Sequence, residues 1–283
     1  MSYTIFSVTA LLTTYLNLKI GEEHPLPWYP PFCTPFVNSM PNLHLLCCDH
    51  LLGVQRAKGR SRRDLMPEAQ LRNDFLKLIN VSSSSEAEIG QRIFTMLKQN
   101  IGPKWLLYNL AALYWRIIGI TVEAVACLRL ALAEKNGIPY ADVALFQLSY
   151  LSYVAGGRLD DAVSLIHQAI EIDNTEPLPQ YLLGYYLVLK SNWTGAVHHL
   201  RSCLQADPRF TKASKLFAYA RCMQFATFFP NSHLRHLREC SQRFIYELFC
   251  GEVNISCYIE YFFTICLLWI MNYRKCFLIN SLT

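Results

Sequence analysis

The chain has 283 residues, of which 52% are hydrophobic and 17% charged, with a formal net charge of +5 at pH 7. That much apolar sequence readily builds a packed core and excludes a generally disordered chain. The positive balance does not point to nucleic acid: Arg56, Lys58, Arg60, Arg62 and Arg63 form one local run, and the segment with regular patterning is slightly acidic.

Residues Tyr3 to Leu18 are apolar and uncharged, the length of a signal-peptide core. No Lys or Arg precedes them and no Ala-x-Ala site follows, so the stretch does not read as a secretory signal. From His24 to Pro41 the run carries six prolines. Proline lacks a backbone donor and biases its predecessor to extended conformations, which predicts a linker and not a helix. Its aromatics Trp28, Tyr29, Phe32 and Phe36 predict that it lies along a surface. A short helix fits His44 to Val54, and the basic run after it reads as solvated linker. Residues 1–65 are therefore expected to be an apolar N-terminus followed by a proline-rich and basic linker.

Pro67 favours the first turn of a helix whose Leu71, Phe75, Leu78 and Ile79 share one face. A serine tract breaks it. Ser85 with Glu88 three residues on predicts a capping box for the next helix, with the stripe Ile89, Ile93, Met96 and Leu97. Gly102-Pro103 ends that helix. Residues 66–102 thus form a pair placed where a capping pair belongs, because an end repeat would otherwise expose its stacking face.

Residues 103–208 repeat one pattern three times. Leu110, Leu148 and Leu183 are each followed by a small residue: Ala111, Ser149 and Gly184. Ala124, Ala162 and Ala196 come next, then Ala131, Ala169 and Cys203. Small residues recurring together at matching offsets mark the lines where two antiparallel helices touch. A helix pair of about 34 residues repeated this way is the tetratricopeptide signature. Asp207-Pro208 closes the third copy. Phe210, Ala213, Phe217 and Ala220 then predict a solvating helix over residues 209–228. The expected fold is all-α, a tetratricopeptide helix-turn-helix superhelix.

Residues 229–283 form an apolar tail without a trustworthy period. Within it Val253 to Tyr273 is nearly continuous apolar sequence, interrupted by Glu260 and followed by Arg274 and Lys275. About 20 apolar residues span a bilayer, and a carboxylate in such a span costs a few kcal/mol. Two readings stay open: a membrane tether through residues 253–273, or a buried or ill-ordered tail. Asn80, Asn192 and Asn254 stand in glycosylation sequons by pattern, and Asn192 also reads as a turn residue and helix cap.

In such repeats the first helix of each pair lines a groove. Off the Leu-small face, those positions hold Tyr108, Trp115 and Arg116, then Phe146, Tyr150 and Tyr153, then Tyr181, Tyr185 and Val188. The Lys and Asn set that grips a chaperone's C-terminal carboxylate is missing. Tyr and Trp bury large area at little entropic cost and suit an apolar helix or extended peptide. Tyr108, Trp115, Tyr150, Tyr181 and Tyr185 are the expected partner-contact set. Two competing readings make the same rings core, or have the proline-rich segment or apolar tail cover them from within.

Chemistry has little support. His198-His199 and His233-x-x-His236 are the histidine pairs, with no carboxylate or cysteine arrangement around them that suggests a metal. Gly156-Gly157 reads as an interhelical turn and not as a phosphate loop. No catalytic residue, metal or cofactor is expected. The eleven cysteines include no Cys-x-x-Cys pair, and Cys127 and Cys203 fall on apolar helix faces as small hydrophobes. A reducing compartment is the plainer expectation.

The runs LYNLAALYWRIIG, AVACLRLAL, DVALFQLSYL, NTEPL and ARCMQF give residues 66–228 a more specific likeness. The spacing from Leu110 to Ala124 and from Leu148 to Ala162 is 14 residues, against 13 from Leu183 to Ala196. In these runs and in this longer turn, the segment resembles the C-terminal repeat block of the tetratricopeptide repeat protein 17 family. The resemblance implies an interaction scaffold linked to actin filament polymerisation and cilium organisation, with actin regulators among its protein partners. It also implies a cytoplasmic setting associated with the cytoskeleton or plasma membrane. The family's proteins are much longer, and residues before Met66 and after Phe228 depart from them.

Overall fold

A computed structural model describes residues 16–17, 23–33, 48–59, 68, 71–73 and 85–228, with side chains up to 224. The described residues form α-helices and one 3-10 helix and contain no strand. They fall into two compact units, one ending at Ala162 and the other beginning at Val163. The apolar tail, including residues 253–273, lies outside the described residues. Among those described, no helix is long and apolar enough to cross a membrane.

The first unit contains α1 (Leu52–Gly59), α2 (Glu86–Gln99), α3 (Lys104–Ile118), α4 (Thr121–Ala133), a 3-10 helix (Lys135–Tyr140) and α5 (Ala141–Val154). It ends in the first turn of α6 (Leu159–Ile172). Helix α2 starts at Ser85, whose side chain accepts from Glu88 N, and stops at Asn100 in the left-handed region (φ 56°). Only this half of the expected capping box forms. The Glu88 carboxylate turns away to accept from Arg92 Nε at 2.7 Å and from His24 N at 3.2 Å. Of the helix expected from Pro67, the described residues 68 and 71–73 include a buried Leu71 and a helical bond from Arg72 N to Glu68 O. Phe75, Leu78 and Ile79 lie outside the described residues.

The repeat lines form as their small residues dictate. Leu110, Ala111, Ala124 and Ala131 are all buried where α3 packs on α4. In the next pair Ser149 stands at the Ala111 position. Its hydroxyl donates to Ala162 O at 2.7 Å, so the small polar residue satisfies itself on the facing backbone. Gly157 makes the expected turn (φ +65°), but Gly156 serves contact. A Cβ there would lie 2.3 Å from Gly53 O of α1. Gly53 N in turn donates to Asp161 Oδ2 at 2.7 Å. Helix α1 was not foreseen in this place: it begins at Leu52, and Arg56 and Lys58 of the basic run are on it, with their side chains exposed. The 3-10 helix is likewise absent from the sequence expectations.

The second unit continues α6 and adds α7 (Pro177–Leu189), α8 (Trp193–Ala206) and α9 (Thr211–Phe228). Pro177 opens α7, where its missing N–H costs nothing. Asn192 caps α8 as expected, its side chain accepting from Gly195 N at 3.1 Å. Gly184 lets α7 and α8 meet: a Cβ there would fall 2.6 Å from Leu200 Cγ. Phe210, just before α9, and Ala213 and Ala220 on it are buried, as the stripe requires, but Leu216 and not Phe217 completes it. Phe217 is half-buried beneath the Arg221 guanidinium.

The Leu200 clash fixes the sign for Gly184→Ala. The added methyl overpacks the α7–α8 line, and overpacking of a tight core costs about 1–3 kcal/mol. Chemical denaturation of the variant is expected to show that loss, although alanine is the better helix former. A gain in stability would mean that the two helices do not touch there.

Candidate functional site

Numbering each first helix from its shared leucine puts the aromatic residues in register. Two positions before it stand Tyr108, Phe146 and Tyr181, all buried. Burial, and to a lesser degree the Glu134 carboxylate, raise the Tyr108 phenol above its ordinary 10.0. Tyr181 packs on Phe210, the residue before α9, with ring centroids 4.9 Å apart. Two positions after the leucine stand Ala112, Tyr150 and Tyr185. Tyr150 is buried under the Arg116 guanidinium, 4.6 Å from its ring centre, whereas Tyr185 is half-buried. Five positions after it come Trp115, buried, and Tyr153 and Val188, both half-buried.

Four of the five rings expected to contact a partner, Tyr108, Trp115, Tyr150 and Tyr181, are therefore interior to their own unit. Tyr185 is the one that keeps part of its surface outside. Arg116, also placed on the groove by sequence, is core: Glu68 Oε1 accepts from its Nε at 2.9 Å, and both carboxylate oxygens lie 2.6 Å from Nη2. A further chain of bonds ties α5 to α3, from Gln147 Nε2 to Asn109 Oδ1 and from Asn109 Nδ2 to Trp105 O, each 2.9 Å.

What covers Trp115 is the chain's own proline-rich segment. Trp115 Nε1 donates to Pro31 O at 2.9 Å, and the Phe32 ring lies 5.0 Å from the indole. The Tyr29 ring lies tilted 5.6 Å from that of Phe94 of α2, and the Tyr29 backbone N donates to Gln91 Oε1. Next to Phe32, Cys33 is disulfide-bonded to Cys127 of α4. Cys127 is thus no free hydrophobe, which corrects the sequence reading; Cys222 is disulfide-bonded too. Cys203 does behave as expected. It is free and fully buried, and burial with the nearby Asp207 carboxylate pushes its thiol up to about 12. The pairs Glu68–Arg116, Glu88–Arg92 and Asp49–Arg129 were also missed. No local period announces them, since each depends on which segments meet in space or on which way one carboxylate turns.

In the second unit, His199 sits among His198 and His167 with its Nδ1 2.8 Å from Gln180 Oε1. Among the described residues no group of three or more His, Cys, Asp or Glu is placed to hold a metal. Burial, then the two neighbouring imidazoles, lower the His199 imidazole from 6.5 to about 4.

Two predictions follow from these environments. Removing one partner of a buried ion pair leaves the other charge uncompensated, at a cost of about 3–5 kcal/mol. Glu68→Ala should lose that much in denaturant titration, and Glu68→Leu with Arg116→Met should recover most of it. A double variant as weak as the single one would deny the pairing. For His199, the unfolded chain binds its proton near pH 6.5 and the folded chain only near 4. Its contribution is therefore full above about 6.5 and is lost as the pH falls toward 4. His199→Gln, which can keep a bond to Gln180, should show a shallower loss of stability across that window than the parent chain. Parallel profiles would place His199 in solvent.

The chain is similar to curated proteins called tetratricopeptide repeat protein 17. It is 37% identical to the one from Homo sapiens over 186 residues, covering 64% of this chain and 16% of the relative. It is 35% identical to the Rattus norvegicus protein over the same length, and 29% identical to the Danio rerio protein over 226 residues, 77% of this chain and 18% of that relative. This chain thus spans about a sixth of the length of these relatives. No family model matches it, and no solved structure matches it.

Proposed function

We propose that this chain is a non-catalytic protein-interaction scaffold that works in actin filament polymerisation and cilium organisation. Its repeat helix pairs, shared with relatives named for that repeat, support the scaffold reading. The resemblance stated for residues 66–228 supplies the actin and cilium setting, and with it a cytoplasmic, cytoskeleton-associated location. The observation that carries the binding role is that Tyr185 is half-buried while Tyr108, Trp115, Tyr150 and Tyr181, the other rings of the expected contact set, are buried. Tyr185 and Val188 lie on one face of α7, three residues apart, and both keep part of their surface exposed. A ring held by its neighbours and open on one side anchors an apolar helix or extended peptide with little entropy to lose.

Protein partners are the ligands in this reading; nucleic acid, metal and cofactor have no part in it. Truncating an aromatic anchor at a true hot spot costs about 2 kcal/mol or more of binding energy. The full chain, immobilised, should capture actin-assembly factors from an extract of ciliated cells. Tyr185→Ala should lose that capture with a melting temperature close to the parent's. Tyr150→Ala, which opens a cavity under Arg116, should melt early instead. Equal capture by the parent and Tyr185→Ala, or capture of no actin-assembly factor, would contradict the proposal.

A further inference from the structure

The surface under the proline-rich segment is built as a peptide site is built. Side chains of α2 and α3 hold backbone atoms of the segment. Glu88 Oε1 accepts from His24 N at 3.2 Å, Gln91 Oε1 accepts from Tyr29 N, and Trp115 Nε1 donates to Pro31 O at 2.9 Å. Two rings of the segment lie on two rings of the helices, Tyr29 on Phe94 and Phe32 on Trp115. Exposure is divided unequally. Glu88, Gln91 and Trp115 are buried, while Tyr29 is 52% and Phe32 43% exposed. A core element buries its own large side chains. A chain held by its backbone, with its rings laid on the outside of a helical surface, is the arrangement of a bound extended peptide.

We propose that residues 23–33 are a built-in ligand, fastened by the Cys33–Cys127 bond, and that the α2–α3 face beneath takes extended peptides rich in proline and aromatic residues once that bond is reduced. The inference rests on the interaction-scaffold reading and narrows it to one face and one ligand chemistry. Proline suits this ligand because an extended segment fixed in advance loses little entropy on binding. Reduction is an exchange with an external dithiol. One reductant thiolate attacks a sulfur of the cystine and releases the other cysteine as a thiolate, which takes up a proton. The second reductant thiol then resolves the mixed disulfide, freeing the second cysteine as a thiol and leaving the reductant oxidised to its own disulfide. Both cysteines are fully buried, so the exchange follows local lifting of the segment. While the bond is closed, the segment meets its site at an effective concentration on the order of mM, which a dilute peptide does not displace. In a reducing compartment the face is open to competitors; in an oxidising one it is closed.

The test uses the full-length chain and a fluorescein-labelled synthetic peptide carrying residues 24–32, followed by anisotropy. Oxidised parent protein should not bind the peptide in the micromolar range. A variant with Tyr29→Ser, Phe32→Ser and Cys33→Ser, whose own segment is weakened and untethered, should bind at least about tenfold more tightly, since competition by a tethered segment is removed. Adding Trp115→Leu to that variant should abolish binding, and dithiol treatment of the parent should raise its affinity. Equal binding by the oxidised parent and the variant would overturn the proposal, as would binding to neither. Loss of helical circular dichroism in both the variant and the dithiol-treated parent would overturn it as well, because residues 23–33 would then be part of the core. The peptide signal depends on α2 and α3 and partner capture on Tyr185 of α7, so failure of one is distinguishable from failure of the other.

Discussion

Two helices that approach at a leucine and a small residue leave no room for a ring between them, and most of this structure follows from that exclusion. At Gly184 even a methyl would meet Leu200, and at Ser149 the side chain is just long enough to bond to the Ala162 carbonyl. The large aromatic side chains of α3, α5 and α7 are thereby driven to the other faces of their helices. Apolar area left there favours burial at roughly 25 cal/mol per Å², so each ring takes whatever cover its own unit offers. Tyr181 takes Phe210, Tyr150 takes a guanidinium, and Trp115 takes the proline-rich segment. Tyr185 is covered only in part.

The same exclusion explains what could be read from sequence. The contact lines were legible because small residues recur at fixed offsets. Leu110, Ala124, Leu148, Ala162, Leu183 and Ala196 are all buried where that periodicity places them. Caps were legible where they are local, as at Asn192, and half-legible at Ser85, whose partner Glu88 found a stronger attraction in Arg92. For its described part, residues 24–33, the surface character of the proline-rich stretch was also visible, since prolines forbid a helix and aromatics seek cover; Phe36 lies outside the described residues.

The partners of the rings were not legible. Position on a helix face says that a side chain leaves the contact line, not what meets it afterwards. Trp115 is buried by residues 84 positions earlier in the chain, Arg116 by a carboxylate 48 earlier, and Cys127 is joined to a cysteine 94 earlier. None of these distances carries a period. The basic run misled for a related reason: its Arg56 and Lys58 are solvated as charge suggests, but the buried Val54 and Ala57 make α1 an anchored helix. A repeat array therefore declares its internal joints in sequence and conceals the segments that fold back upon it.

That fold-back can be tested directly by mapping the thiols of the native protein. The full-length chain, purified without reductant, is alkylated in the folded state, digested without reduction, and read by mass spectrometry. Cys33 and Cys127 should appear in one disulfide-linked species, while the buried thiol of Cys203 should take label only after denaturation. Recovery of Cys33 and Cys127 as separate, natively alkylated peptides would contradict the placement of the proline-rich segment over Trp115, and with it the assignment of that ring to the interior.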